Sequence, residues 1–493
     1  MLVFRGEFEV DTRIARLVAF SLLVLLVLAN TLLWVFPVEA QVTEVTIGAL
    51  YPLSGDLATF GKANVEALLI ALEDVNKWMA DNKFPFRFKL EVRDTATDPT
   101  TAESLFRTLY GAGVRYFLGP MSSGELGRVM GAMEAAGLKS VIISPSSTSP
   151  ALAKKDSVYR FPPPDEFQGR VLALLFKADG VKTLIIVYRS DDWGKLLADI
   201  TKSESEKIGI KVEASLGYDP KSPDFKSLVE TVRGIISRLV AAGVKYEEIG
   251  LNIISFEEGI DFLVEAAPKP EFSKIKWYGS DGTALSAKAT GTPVAAELAA
   301  TTVWKNTITF GLTDIAVRLF WTIKDKIGYS PDPYSIISYD CLWVLALAIV
   351  AAGGPANIDK VAELIPKIVE LYVGASGKIT LNEFGDRAGS DYAIYTIKEV
   401  TPGKYDWRII AKYDFATDRI VTLEKDPLAE KPVTIPTAYP TIDMTKFMAL
   451  LPPTPTPTPT PTPAPAISPT LVAVVIVILV LVALAAYFLL RRR

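Results

Sequence analysis

The chain has no histidine among its 493 residues and a single cysteine, Cys341. Without imidazole it lacks the usual general base, the Ser-His-Asp arrangement and the commonest zinc ligand. One thiol excludes an intrachain disulfide. Cys341 sits among Ile336, Ile337, Leu342, Val344 and Leu345, which suits a small core residue rather than a reactive group. A dominant charge sign is also missing: 52 Lys and Arg against 56 Asp and Glu leave −4, so no basic face for nucleic acid is expected. A hydrolase built on carboxylates would have only Asp191, Asp192, Glu257, Glu258 and Asp281 to draw on. Solvated or capping roles explain the first four. Binding therefore leads catalysis, and neither an enzyme activity, a cofactor nor a metal is expected.

Both ends place the middle of the chain outside a membrane. From Pro452 to residue 470 the sequence is dominated by Pro-Thr repeats, which disfavour helix and sheet and favour extended polyproline II at about 3.1 Å per residue. An unbroken apolar run, Leu471 to Leu490, follows and is long enough to span a bilayer as a helix. Arg491, Arg492 and Arg493 favour the cytoplasmic side. At the other end Arg13 and Arg16 precede an apolar stretch, Leu17 to Phe36, closing with Val38-Glu39-Ala40 before Gln41. Residues 1–40 thus read as a signal peptide, with an uncleaved anchor as the alternative. No cysteine near residue 40 is available for lipid attachment. The expected location is the cell membrane, single-pass, with an extracellular ectodomain.

Between the ends, short apolar strands alternate with amphipathic helices, as in βαβ units. Val45–Leu50 reads as a strand, and Ala63–Met79 as a helix with Val65, Leu68, Leu69, Leu72 and Val75 at helical spacing. Asp98-Pro99 is a helix start, cap followed by proline. Pro162-Pro163-Pro164 breaks the chain, and the same rhythm restarts at Thr183. Three long helices are expected near 313–327, 334–351 and 358–372, followed by a strand-rich segment, 378–413. The fold class is α/β, two Rossmann-like lobes, with the late helices returning to the first.

In open parallel α/β sheets, ligands bind beyond the carboxyl ends of strands. The loop after the first strand, Leu53 to Gly61, presents Phe60. Pro120-Met121-Ser122-Ser123-Gly124-Glu125 offers hydroxyls and free N–H groups at a helix start. Its alternative is a Ser122–Glu125 capping box that needs no ligand. Five hydroxyls between two prolines, Ser144 to Pro150, make a second donor-rich loop at the same sheet edge. In the second half, Trp193 opens a helix, Phe256 follows a strand, and Asp281 lies in a Gly-Ser-Asp-Gly turn where it could meet a cationic amino group or simply serve the turn.

These residues carry a resemblance. Leu53-Ser54-Gly55 with Gly61, Gly119-Pro120-Met121-Ser122-Ser123, Ile143 to Pro150, Tyr339-Asp340 and the crossing segment Gly377–Asp386 are similar, in order and spacing, to type I periplasmic solute-binding proteins. The branch is that of the leucine/isoleucine/valine-binding receptors of ABC importers. The resemblance implies a two-lobed clamp with three crossovers forming a multi-strand hinge, residues 43–163 making the first lobe with 301–377 returning to it and 164–300 the second with 378–425 returning to it. It implies a ligand α-carboxylate held at Ser123, Ser146 (through its backbone) and Thr148, and an α-amino group held at Asp281. Phe60 and Trp193 would flank the cleft, with Phe256 the candidate for a further aromatic. The chain departs from the usual pattern in having Phe60 for Trp or Tyr, Trp193 for Tyr, and Asp281 where some members have Glu. The expected function is capture of an amino acid, branched-chain or otherwise apolar, or a related amide, for an ABC permease. A sensor acting through a partner protein is the alternative. The Pro-Thr stalk and C-terminal anchor resemble those of archaeal surface receptors.

Overall fold

The computed structural model describes residues 12–33, 42–435, 438–453, 475, 477–482 and 484–485. It divides into two units, Met1–Gln41 with Pro453–Arg493, and Val42–Pro452. In the first unit, Thr12–Leu33 is a 22-residue helix. The expected cleavage point after Ala40 and the Pro-Thr run from residue 454 lie outside the described residues. So does most of Leu471 to Leu490, whose described positions are helical.

Among the described residues of the second unit there are sixteen strands. The first five are β1 (Thr43–Tyr51), β2 (Phe86–Asp94), β3 (Tyr116–Leu118), β4 (Val141–Ser144) and β5 (Val158–Arg160). They form a parallel sheet ordered β2-β1-β3-β4-β5. A second sheet contains β6 (Thr183–Arg189), β7 (Lys211–Tyr218), β8 (Ile249–Ile254), β9 (Lys276–Gly279) and β10 (Lys305–Thr309). After the short strands β11 (Tyr372–Gly374) and β12 (Gly377–Lys378), three more join it: β13 (Tyr392–Thr401), β14 (Lys404–Asp414) and β15 (Arg419–Thr422). Its order is β15-β14-β13-β10-β9-β8-β6-β7, parallel from β7 to β10 and antiparallel beyond. Helices fill the connections, so the inner parallel strands are apolar and buried on both faces, β8 at every position, while the edge strands β2 and β7 carry charged residues and stay partly exposed.

The Pro cluster at 162–164 is the first crossing between the sheets, joining β5 to helix Asp165–Ala178. Proline suits a crossing because it adds no donor that would need a partner there. The second crossing, 310–313, joins β10 to helix Asp314–Ile327, which packs on helix Ala58–Asp81 beside the first sheet. The third, 379–391, leads from β12 to β13. Strand β10, which the sequence reading assigned to the segment returning to the first lobe, lies in the second sheet, so that return begins after Thr309. Likewise the strands rejoining the second sheet begin at Tyr392 rather than at 378.

Helix Pro333–Ala351 is capped by Asp332, with proline at its first position, and every residue from Tyr334 to Ala351 is buried. Among the described residues it is the one helix long and apolar enough to cross a membrane. Its surroundings make it a core element. It packs on helices Ala58–Asp81 and Ile358–Leu371 and on β3, β4 and β10. Cys341 is buried within it, and burial pushes the thiol well up, which keeps it un-ionised and inert. Beyond residue 425 the chain does not trail away. Strand β16 (Thr441–Ile442) pairs with β11, and Phe447 of helix Met444–Leu450 is fully buried against Trp78 and Phe84.

Candidate ligand-binding site

Each sheet has a switch point, β1/β3 in the first and β6/β8 in the second, where neighbouring strands send their connections to opposite sides. A crevice opens there at the carboxyl ends. Loops from both crevices meet around one cavity of ≈ 340 Å³. Phe60, Ser123, Ser146 and Thr148 line it from the first lobe, and Trp193, Phe256 and Asp281 from the second. All seven residues singled out in the sequence are thus neighbours in space, though they come from six separate loops.

The first-lobe wall is built by local hydrogen bonding. Gly61 permits the tight first turn of helix Ala58–Asp81, since a Cβ there would stand 1.7 Å from the carbonyl oxygen of Pro52. Phe60 is thereby turned inward and is 3% exposed. The Ser122–Glu125 capping box is present: Ser122 Oγ accepts from the Glu125 N–H, and Glu125 accepts from the Ser122 N–H. Ser122 is committed to its helix, and Ser123 does different work. Its Oγ accepts from the N–H groups of Thr148 and Ser149, each at 3.2 Å, joining the two hydroxyl-rich loops. Ser146 Oγ donates to the Met121 carbonyl at 2.8 Å, which uses its one proton and leaves the backbone N–H as its donor for any other partner. Thr148 Oγ1 is buried with no hydrogen-bond partner.

The second-lobe wall is a stack. Trp193 and Phe256 lie with ring centroids 4.8 Å apart and planes 21° from parallel, and the Arg189 guanidinium caps the Phe256 ring at 3.8 Å. Arg189 is held by Glu258 Oε1 at 2.8 Å and Asp191 Oδ2 at 2.6 Å. Tyr218 donates to the same Glu258 oxygen at 2.6 Å. Asp191 also caps the helix that carries Trp193 by accepting from Gly194 N–H. The solvated role expected of Glu257 and Glu258 is corrected here: both are buried, Glu258 against Arg189 and Tyr218, Glu257 between the lobes. Gly282 closes the wall, because a Cβ would fall 2.4 Å from Ser255 O and 2.8 Å from the Trp193 ring.

Asp281 is the polar centre. One oxygen accepts from Tyr334 OH at 2.6 Å, while the other, Oδ1, is buried without a partner. Burial raises its carboxyl to about 6, against the opposing pull of the Tyr334 hydrogen bond. Asp165, at the start of helix Asp165–Ala178, is fully buried and has no partner on either oxygen. Burial first and the Asp281 charge second push it well above the carboxylate range, with the Thr148 hydroxyl pulling weakly the other way, so Asp165 keeps its proton and Asp281 carries the charge. The cavity thus has an unpaired hydroxyl on one wall, an unpaired carboxylate oxygen on the other, and aromatic flanks between. A buried polar group left unpaired costs about 1–3 kcal/mol, which a complementary guest would recover. Sequence reasoning missed Tyr334 and Asp165. The Asp332-Pro333 helix start put Tyr334 near a loop edge, but nothing local aims it at Asp281.

A model of the periplasmic binding protein family matches residues 44–403. The chain belongs to that family. It is a type I periplasmic binding protein. An uncharacterized protein of Methanocaldococcus jannaschii is 32% identical over 395 residues, 76% of this chain and 91% of its own. The leucine-, isoleucine-, valine-, threonine-, and alanine-binding protein of Pseudomonas aeruginosa is 25% identical over 351 residues, 70% of this chain and 87% of its own. The crystal structure of a leucine binding protein from Thermotoga maritima has the same fold. Its TM-score is 0.60 at 20% identity, covering 77% of this chain and 99% of that one. Family members bind solutes and do not transform them, so this protein is a solute-binding receptor and not an enzyme.

Proposed function

We propose that this receptor captures an amino acid, branched-chain or otherwise apolar, and delivers it to an ABC permease. The observation that carries the reading is the pair of unpartnered atoms, Thr148 Oγ1 and Asp281 Oδ1, on the two walls of one aromatic-flanked cavity. A zwitterion complements them. Its carboxylate would take donors from Ser123, the Ser146 backbone and Thr148, and its ammonium would pair with Asp281, in a cleft where water is scarce and charges interact strongly. The names of the Pseudomonas and Thermotoga proteins support amino acids as the ligand class. Lobe closure over the solute would present one closed form to the permease. We further read residues 452–470 as a stalk and 471–490 as a membrane helix that hold the lobes outside the cell.

The test is a thermal-shift screen of the full chain in detergent micelles against amino acids, small amides, urea and sugars. A ligand at 100 times its dissociation constant stabilises the fold by about 2.7 kcal/mol. The expected hit is an apolar α-amino acid, lost in both Asp281→Ala and Thr148→Ala. A hit without an amino group overturns the role given to Asp281. Silence across the panel overturns the amino-acid reading.

A further inference from the structure

A second cavity lies at the hinge, sharing no lining residue with the ligand cleft, with ≈ 450 Å³ of empty space. Two of the three crossings line it, Phe310 to Leu312 from the second and Arg387 from the third, together with Thr309 at the end of β10 and Ser376 in the turn between β11 and β12. Ala316, Phe320, Ile336 and Tyr395 are among the residues that complete a largely apolar wall. Arg387 is out of character there. It is 4% exposed, and its Nε has no hydrogen-bond partner. Its other nitrogens meet only neutral acceptors: Nη1 the Ser376 hydroxyl at 3.3 Å and the Phe161 carbonyl at 3.5 Å, and Nη2 the carbonyls of Ser376 at 3.0 Å and Lys378 at 3.2 Å.

The neighbouring guanidinium shows what is missing. Arg160, whose carbonyl accepts the Arg387 N–H, is as deeply buried but forms a two-pronged pair with Asp386, both contacts at 2.6 Å. Among the described residues Arg387 makes no ion pair. The main help is the field of Asp340, with Asp391 adding less; the two Asp340 oxygens are already taken by Tyr372 OH, the N–H groups of Ala375 and Ser376, and the Ser376 hydroxyl. Burial accordingly lowers the Arg387 guanidinium to about 10. A buried cation without a counterion is costly, and an anion that reaches it recovers that cost.

We infer that the hinge cavity is a binding site for a short-chain monocarboxylate, with its carboxylate on Arg387 and its alkyl chain against Phe320 and Ile336. The inference does not rest on the amino-acid reading of the cleft. The test titrates the full chain in detergent micelles with butyrate, and with butyramide as neutral isostere, at fixed ionic strength, by calorimetry. Cooperative melting checks that each variant is folded. Butyrate is expected to bind and butyramide to bind at least about tenfold more weakly, the worth of a charge-assisted hydrogen bond. Arg387→Gln removes the charge, and Ala316→Leu fills the cavity while keeping it; each is expected to weaken butyrate at least about tenfold. Should Arg387→Gln not fold, Ala316→Leu decides alone. No butyrate binding to the folded wild type, equal binding of butyramide, or wild-type binding by a folded Ala316→Leu variant would overturn the site.

Discussion

Asp281 sets the chemistry of the cleft because it is the buried group whose charge is neither fully quenched nor fully paired. Its carboxyl stands at about 6, so it is mostly ionised at pH 7 and about one-tenth ionised at pH 5. Only the ionised form attracts an ammonium. Affinity for an α-amino acid should therefore fall about tenfold between pH 7 and pH 5, the fraction of competent protein being the factor. Calorimetry at the two pH values checks this. Asp281→Asn should bind weakly at both and lose the difference; a pH profile unchanged in the variant would remove Asp281 from the site. Tyr334 contributes by lowering the same group. Asp281 itself was legible from its Gly-Ser-Asp-Gly turn and the family resemblance. Tyr334 and Asp165 were not, since their proximity to Asp281 comes from helix starts distant in sequence.

At the scale of elements, the start of helix Ala58–Asp81 with the loop before it and the turn after β8 latch the lobes together. Thr59 Oγ1 donates to Glu257 Oε1 at 2.7 Å, and the Glu257 N–H donates to the Asp56 carbonyl at 3.2 Å. Ser286 Oγ fixes the same Glu257 oxygen from within the second lobe at 2.6 Å. Thr59→Val keeps the shape and removes the donor. Ligand dissociation should then be about tenfold faster with association little changed, since the lost bond is to a charged group and forms after encounter. Stopped-flow kinetics separate the two rates. Helix Pro333–Ala351 is the element on which the first lobe closes. Trp343, fully buried and edge-on to Trp78 at 5.9 Å, should cost about 3–5 kcal/mol when changed to Ala, read as a shifted denaturant midpoint. The length and composition of this helix gave its existence. Its complete burial depends on partners from seven other elements, most of them distant in sequence.

For the whole molecule, the absence of histidine has a thermodynamic consequence. Between pH 5 and pH 7 the side chains left to titrate are shifted carboxyls, and burial raises them: Asp332 to about 7, Asp281 to about 6, and Asp165 upward as well. A raised carboxyl means the folded state binds more protons than the unfolded chain. Stability of the ligand-free protein should therefore increase as pH falls from 7 to 5, each such group contributing about 1.4 kcal/mol per pH unit between its unfolded and folded values. The opposite trend is what paired carboxylates give. Melting temperatures of the ligand-free chain across that range check the sign; a fall toward pH 5 would mean these acids are ionised in the fold.

What the sequence determined by itself is what neighbouring residues decide among themselves. Hydrophobic period set the strand and helix rhythm, Asp98-Pro99 and Ser122 with Glu125 set helix starts, and the missing histidine removed whole classes of chemistry. These are interactions over a few residues, and their energies hardly depend on the rest of the fold. Tertiary structure alone decided that β10 joins the second sheet, that Glu258 is buried against Arg189, and that Arg387 faces an apolar hinge cavity without a counterion. Each of those is a matter of which distant groups share a low-dielectric space, and burial and pairing across such separations leave no local period to read.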